Sequence, residues 1–234
     1  MTLMPWPLRQ FDAAIVDLDG TLVDTLGDFV EALQRMLHDL PPPFSDFSVT
    51  PALVERMVGK GSENLIKSLL GHVDAAQSAI NSVALYERAW ARYQVHYQAI
   101  NGAYSAVYPG ALQGLQQWQA AGLRLVCVTN KPTAFARTLL QHKGLDGFFL
   151  HVVGGDAVAR KKPDPMPLLH ACSLLGTQPA RTLMVGDSSN DAQAARAAGC
   201  PVLLVSYGYN HGEPIRSVDA DAYTDALDTL RWAN

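Results

Sequence analysis

The chain has 234 residues, of which 48% are hydrophobic and 17% charged, and it carries a formal net charge of −4 with a pI near 5.9. This composition is typical of a folded protein with a hydrophobic core, and the length allows one large domain or two modest ones. Because the net charge is negative and Lys and Arg form no run, we expect no nucleic-acid partner. No apolar stretch approaches membrane-spanning length, and the segment before Pro7 lacks the features of a signal peptide, so we expect a cytoplasmic protein with no membrane partner.

The first predicted strand is the apolar run Ala13–Val16, which stops at the sequence Asp17-Leu18-Asp19-Gly20-Thr21. In open α/β sheets, ligands bind at the carboxyl ends of the strands, so both carboxylates should face a polar crevice. Two carboxylates this close repel each other unless a cation lies between them, and a hard divalent ion such as Mg²⁺ prefers oxygen ligands. A solvated Asp-Gly turn is the alternative interpretation.

After Thr21 the apolar residues recur every three or four positions, which predicts helices. The first begins near Phe29 and is ended by the prolines at 41–43. Further helices are predicted over residues 52–58, 63–70, about 74–100 and 112–121, the last closed by Gly122. Strand patterns return only at Leu123, so the sequence predicts a helical insertion between the first and second strands of a parallel sheet.

Four more strands are predicted, at residues 123–128, 148–153, 182–185 and 202–205, which gives a five-stranded α/β core. Two of them end in polar motifs: Thr129-Asn130-Lys131 follows the second strand, and Asp187-Ser188-Ser189-Asn190-Asp191 follows the strand over 182–185 and its Gly186. Lys161-Lys162-Pro163 lies between the two. Each motif alone could be a helix cap, a solvated lysine or a turn. Together they supply a hydroxyl, an ammonium and more carboxylates to one edge of the sheet, which favours a shared site.

In this order the motifs resemble those of the haloacid dehalogenase superfamily, specifically its phosphatases. The matching residues are Asp17-Leu18-Asp19-Gly20-Thr21-Leu22, Thr129, Lys162 before Pro163, and the segment 186–191. The resemblance spans almost the whole chain. It implies a Rossmann-like parallel core of residues 1–22 and 106–234, with a helical cap of residues 23–105 inserted and hinged near residues 24–25 and 104–108. Within the superfamily, residues 154–156, 162–165 and 198–210 look most like bacterial phosphoglycolate phosphatases.

The resemblance also implies roles for individual residues. Asp17 would attack phosphorus and form an aspartyl-phosphate, and Asp19 would act first as the acid and then as the base. Thr129 and Lys162 would stabilise the phosphoryl oxygens, although Lys161 stands beside Lys162 and leaves open which lysine acts. The implied Mg²⁺ ligands are the side chains of Asp17 and Asp187 and the backbone carbonyl of Asp19. The supporting residues are Asp191, which would orient that shell, Asn130 and Ser188.

Two residues are candidates for contact with the substrate: Gly20 and Lys60. Lys60 stands between Gly59 and Gly61 in a break between predicted helices, where glycines permit a tight loop. From there its side chain could reach over the crevice, and we hypothesise that it contacts the carboxylate of 2-phosphoglycolate. A solvated surface lysine is the alternative.

The resulting functional prediction is a Mg²⁺-dependent phosphatase of carbohydrate metabolism acting on a small phosphorylated metabolite. It would convert 2-phosphoglycolate to glycolate and phosphate. A sugar-phosphate phosphatase and a phosphomutase of the β-phosphoglucomutase type remain open as alternatives, as does a binding module without catalysis. A dehalogenase is disfavoured because that class lacks the second aspartate of the first motif, which Asp19 supplies here.

Overall fold

The computed structural model describes residues 2–74 and 83–233. Its strands are β1 (Thr2–Pro7), β2 (Ala13–Val16), β3 (Val23–Asp24), β4 (Ala106–Val107), β5 (Arg124–Val128), β6 (His151–Val153), β7 (Thr182–Gly186), β8 (Val202–Val205), β9 (Ala222–Thr224) and β10 (Leu230–Ala233). Its α-helices are α1 (Leu26–His38), α2 (Pro51–Glu55), α3 (Ser62–Val73), α4 (Val83–Ile100), α5 (Ala111–Ala120), α6 (Thr133–His142), α7 (Met166–Leu175) and α8 (Ser189–Ala198). Among the described helices, none combines the length and hydropathy needed to cross a lipid bilayer.

The centre of the molecule is a six-stranded parallel sheet in the order β6-β5-β2-β7-β8-β9. The predicted class, a Rossmann-like α/β fold with a helical insertion, is confirmed. The predicted number of strands is wrong, because β9 adds a sixth at the edge. Strand β6 is also shorter than predicted, since Phe148 belongs to a 3-10 turn and the strand begins at His151.

The middle strand β2 is buried on both faces. Ala14 and Val16 pack into one hydrophobic cluster and Ala13 and Ile15 into another on the opposite side of the sheet. This is why the run is continuously apolar rather than alternating, as parallel strands covered by helices require. Val16 is in register with Cys127 of β5 and Val185 of β7, so the residues that follow these three strands meet at one edge.

Helices α1 to α4 form the segment inserted after β3. They pack around a hydrophobic cluster of their own, in which Phe29 of α1 stacks on Tyr97 of α4 at 5.7 Å between ring centroids. Helix α1 ends before the prolines, as predicted, and the predicted helices over 52–58, 63–70 and 112–121 correspond to α2, α3 and α5. The predicted helix over about 74–100 is present as α4, and residues 75–82 lie outside the described residues.

The chain leaves the sheet and returns to it through neighbouring strands. Strand β3 pairs antiparallel with β4, with Val23 opposite Val107 and Asp24 opposite Ala106. The buried Asp28 carboxylate strengthens this junction by accepting hydrogen bonds from the backbone N–H groups of Gly102 (2.8 Å) and Tyr104 (2.7 Å).

Candidate active site

The loop after β2 presents two carboxylates to one cavity. The Asp17 N–H donates to the carbonyl of Val185 at 2.9 Å, which continues the sheet pairing past the end of the strand. The chain then turns sharply, because the carbonyl of Leu18 accepts the N–H groups of both Leu22 and Val23. Leu18 is fully buried in the core, and the carboxylates on either side of it line the cavity.

Lys162 lies beside Asp17. Its Nζ is 2.8 Å from Asp17 Oδ1, 2.7 Å from Asp191 Oδ1 and 2.9 Å from the carbonyl oxygen of Val128. Although burial opposes its charge, the carboxylates of Asp17 and Asp191 raise the pKa of Lys162, which keeps it a cation. The position of the backbone is fixed by Asn130, whose side chain accepts the Lys162 N–H at 2.9 Å and donates to its carbonyl at 2.8 Å.

Two more carboxylates come from the turn between β7 and α8. Asp191 caps its own helix, since its Oδ2 accepts the N–H of Ser188 at 3.1 Å and the Ser188 hydroxyl at 2.7 Å. Asp187 Oδ1 accepts the Thr21 hydroxyl at 2.9 Å, and its Oδ2 accepts the Tyr209 N–H at 2.6 Å. The donors around Asp191 fill both of its oxygens, so this side chain is held in one orientation.

The carboxylates of Asp17, Asp187 and Asp191 can bring one oxygen each within 4.8 Å of one another, and all three residues are buried. Burial raises the pKa of Asp17 to about 7, and burial with the neighbouring Asp191 charge raises the pKa of Asp187 well above its usual range. The single positive charge of Lys162 does not neutralise the negative charges of three carboxylates. Asp17 Oδ1 is buried and receives no well-directed hydrogen bond from the described residues, although Lys162 Nζ is close. This donor set of hard oxygens with excess negative charge fits a divalent cation.

Two glycines allow the backbone to approach Asp187. A Cβ on Gly20, whose φ is +85°, would lie 2.1 Å from Asp187 Oδ2, and a Cβ on Gly208 would lie 2.4 Å from the same oxygen. Side chains at either position would occupy the space around the carboxylate. The close approach at Gly20 also brings the main chain that follows Asp19 next to Asp187.

Most of the predicted site residues line this single cavity. They are Asp17, Asp19, Thr129, Asn130, Lys162, Asp187, Ser188 and Asp191. Lys161 does not join them, because its Nζ pairs with Glu63 Oε2 at 3.0 Å. Lys60 has an exposed side chain and is absent from the cavity lining, whereas its neighbours Gly59 and Gly61 belong to it.

Sequence reasoning missed Lys131 and Tyr209. Lys131 Nζ donates to Asp19 Oδ1 at 2.7 Å, and only 2% of its side chain is exposed. The Tyr209 hydroxyl donates to Asp24 and accepts the N–H groups of Thr25 and Leu26, which joins the loop after β8 to the start of α1. The available signal for Lys131 was its place directly after Thr129-Asn130 at a strand end.

The chain belongs to the haloacid dehalogenase-like hydrolases, whose family model matches residues 11–199. It is similar to the phosphoglycolate phosphatase of Thiobacillus denitrificans, with 40% identity over 228 residues that cover 97% of this chain and 96% of that protein. A plasmid-encoded phosphoglycolate phosphatase of Cupriavidus necator is 43% identical over 220 residues, covering 93% of this chain and 90% of the relative. The crystal structure of a predicted phosphoglycolate phosphatase from Haemophilus somnus superposes with a TM-score of 0.88 at 30% identity, covering 94% of this chain and 96% of that one.

Proposed function

We propose that the chain is a Mg²⁺-dependent phosphatase that hydrolyses 2-phosphoglycolate to glycolate and phosphate through a phosphorylated Asp17. Its membership of the family and its similarity to the named phosphatases make it a phosphoric monoester hydrolase. The observation that carries the finer proposal is the placement of Asp17. Its carboxylate stands at the carboxyl edge of the sheet, 2.8 Å from the Lys162 ammonium, in a cavity that Asp19 also lines.

In the first step an oxygen of the Asp17 carboxylate attacks phosphorus and forms an aspartyl-phosphate, while the bond from phosphorus to the ester oxygen breaks. Lys162 faces Asp17 and supplies positive charge to the phosphoryl oxygens as they crowd together. Thr129 is buried and lines the same cavity, and we assign its hydroxyl to donate to those oxygens. Both groups are fixed before the reaction, so little reorganisation is needed.

Asp19 handles the proton in both steps. It gives its proton to the departing ester oxygen and then takes a proton from the water that attacks the aspartyl-phosphate, which restores both carboxyl groups. A residue with this task must line the cavity without forming an ion pair with Lys162, as Asp17 and Asp191 do. Asp19 satisfies this, since Lys131 is the partner of its Oδ1.

The metal ligands we propose are the side chains of Asp17 and Asp187 and the backbone carbonyl of Asp19, with Asp191 and Ser188 orienting them from behind. Asp191 suits that positioning role because its oxygens are already occupied by Lys162 and by Ser188. Bound there, Mg²⁺ would offset the repulsion between the carboxylates and an anionic phosphate.

We further propose that residues 23–105 act as a cap over the site. The carbonyl of Gly59, in the loop between α2 and α3, accepts hydrogen bonds from Asn130 at 2.9 Å and from Asn190 at 3.2 Å on the sheet side. The space beneath has a volume of about 30 Å³, room for about two water molecules. We propose that these contacts open to admit the substrate and that their closure favours a small leaving group.

The test combines substrate screening with a nucleophile variant. Purified protein is offered a panel of phosphorylated metabolites with Mg²⁺ or with a chelator, and free phosphate is measured. We expect 2-phosphoglycolate to be the best substrate, with no release in the chelated sample. Asp17→Asn should abolish release and also the acid-trapped phosphoprotein seen by mass spectrometry in the parent.

Asp12→Asn is the matched control, because Asp12 precedes the same strand but pairs with Arg181 at the exposed far end. It should retain full activity. Conversion of a sugar phosphate to its isomer without free phosphate would instead indicate a phosphomutase. Activity that survives in Asp17→Asn would refute the mechanism.

A further inference from the structure

Lys131 and Lys162 both line the cavity, and they differ in the number of oxygen atoms close to the ammonium group. Lys162 Nζ lies within 2.7–2.9 Å of three oxygen atoms, as many as an ammonium has N–H groups. Lys131 Nζ donates to a single oxygen, Asp19 Oδ1, and no second acceptor for it is found in the part of the chain that the structure describes. Lys131 therefore has N–H groups free to bind a ligand in the cavity.

The Lys131 ammonium is held in place by aromatic rings from the helical segment. Nζ lies 4.6 Å from the ring centroid of Phe29 and 4.9 Å from that of Tyr97. The attraction between a cation and a ring face helps to fix its position, and neither ring supplies it with an oxygen acceptor. Because the side chain is only 2% exposed, water screens its charge weakly, and an anion in the cavity would interact strongly with it.

Tyr97 packs against the Lys131 ammonium through its ring but is not among the residues that line the cavity. Its hydroxyl is buried and has no hydrogen-bond partner among the described residues. Burial, and then the charge of nearby Asp19, raise the pKa of Tyr97 well above its usual range, so the hydroxyl keeps its proton. Tyr97 therefore stays uncharged and does not neutralise the charge of Lys131.

We propose that Lys131 binds a carboxylate on the leaving group and so selects phosphate esters of 2-hydroxy acids. The inference rests on the proposed function, because it assigns the leaving-group end of the same site. Asp19, which would protonate the ester oxygen, is also the partner of Lys131. A carboxylate on the carbon that bears the ester oxygen therefore reaches Nζ while that oxygen lies against Asp19. A longer or uncharged leaving group does not meet both conditions.

The experiment compares 2-phosphoglycolate with ethyl phosphate, which replaces the carboxylate by a methyl group. The parent protein should favour 2-phosphoglycolate at least about 30-fold in kcat/KM, the value expected for a charged hydrogen bond in a buried site. Lys131→Gln should remove most of this preference: kcat/KM for 2-phosphoglycolate should fall at least about tenfold further than kcat/KM for ethyl phosphate, because only the first substrate carries the carboxylate. The ratio of the two kcat/KM values separates substrate selection from a general loss of activity.

Lys67→Gln is the matched control, since Lys67 also lies over an aromatic ring, that of Tyr86 at 4.9 Å, but is remote from the cavity. Its ratio should equal that of the parent. A binding measurement that needs no turnover completes the test: in the inert Asp17→Asn background, adding Lys131→Gln should weaken calorimetric binding of 2-phosphoglycolate about 30-fold.

The outcomes are distinguishable. If the parent releases phosphate from neither ester, both the proposed function and the role of Lys131 are refuted. If the parent hydrolyses both esters equally well, or if Lys131→Gln leaves the ratio unchanged, the phosphatase stands and only the role of Lys131 is overturned. A ratio that responds to Lys60→Gln and not to Lys131→Gln would assign the carboxylate to Lys60. If Lys131→Gln folds poorly, Lys131→Arg provides the test instead. Because it keeps the positive charge, it should retain the preference for 2-phosphoglycolate.

Discussion

At the scale of single residues, hydrogen bonding distinguishes three nearby aspartates. Asp191 has both oxygens occupied by donors, which suits the positioning role that we propose for it. Asp17 has a buried oxygen that lacks a well-directed donor, which leaves it able to react or to bind a cation. Asp19 pairs with Lys131 and borders the cavity. The surroundings of each carboxylate therefore suit the role that we propose for it: support for Asp191, nucleophile for Asp17 and proton transfer for Asp19.

Asp19→Asn should separate the two chemical steps. An alkyl phosphate needs a proton on its leaving oxygen, so its turnover should fall about 10²- to 10⁴-fold. An aryl phosphate with an acidic phenol needs none, so Asp17 should still be phosphorylated, and the intermediate should accumulate because no base activates water. Stopped-flow absorbance should show one equivalent of phenolate followed by slow turnover. Undiminished steady turnover would contradict the role given to Asp19, and Asp17→Asn should show no burst.

The sequence predicts the position of Asp17 because a short apolar run can end only at an edge of the sheet. The same reasoning extends to Thr129 and Asp187, whereas Lys162 lies in a loop and is indicated by the family resemblance. It could not identify Lys131, because a lysine after Thr-Asn has the same local pattern whether it faces solvent or a buried aromatic pair. Phe29 and Tyr97 come from distant helices, and only their packing shows that the lysine is enclosed. It could not place the side chain of Lys60 either, since loop position does not determine direction.

At the scale of elements, the loops at the carboxyl edge depend on very close approaches of backbone to side chain. Gly208→Ala would place a Cβ 2.3 Å from Asp187 Cβ and 2.4 Å from the Gly20 carbonyl oxygen. We expect about 1–3 kcal/mol lower stability, because neither the backbone nor the buried carboxylate can move aside freely. Activity should fall with it as Asp187 is displaced. Chemical denaturation and phosphate release measure the two effects.

Gly147→Ala is the matched control for Gly208→Ala. Gly147 lies in an exposed turn, and a Cβ there would meet no atom within 4 Å. Its effect on stability should stay within about 0.5 kcal/mol. A Gly208→Ala protein with the stability and activity of the Gly147→Ala protein would show that the loop is less tightly packed than described here.

Strand prediction succeeds where burial dictates the sequence and fails where it does not. Strands β2, β5, β7 and β8 lie inside the sheet and are apolar apart from Arg124 and Thr182 at the first positions of β5 and β7, so their pattern is unambiguous. Strand β9 has only three residues, one of them Tyr223, and lies at the edge. Strand β1 carries two prolines and pairs only with β10, a partner almost the whole chain away. Neither edge element has a local pattern that distinguishes it from a loop.

At the scale of the whole molecule, the carboxylate cluster should make stability depend on Mg²⁺. A ligand at about a hundred times its Kd stabilises the folded state by about 2.7 kcal/mol, which corresponds to a rise in Tm of roughly 5–10 °C for a chain of this size. Differential scanning calorimetry with Mg²⁺ or a chelator measures the shift. Asp187→Asn should abolish it, and Asp12→Asn should retain it.

The rise in Tm caused by Mg²⁺ should also depend on pH. The pKa of Asp17 is about 7 in the folded chain against 3.8 as the unperturbed value. Between about pH 4 and pH 7 the metal-free folded state therefore binds more protons than the unfolded state, so its stability falls as the pH rises through that window. Protons and Mg²⁺ compete for the same carboxylate, so the Tm gain should be large at pH 8 and small at pH 5. Equal gains at both values would contradict a shared site.

The pairing of β3 with β4 has an evolutionary consequence. Because the chain departs from the sheet and rejoins it at two adjacent hydrogen-bonded strands, the helices between them can be exchanged by recombination at one small junction while the phosphate chemistry stays intact. New specificities could arise in this way without rebuilding the reaction centre. Lys131 limits that freedom. Its ammonium group packs against Phe29 and Tyr97 of the helical segment, so a transplanted segment would have to supply aromatic rings at the same place.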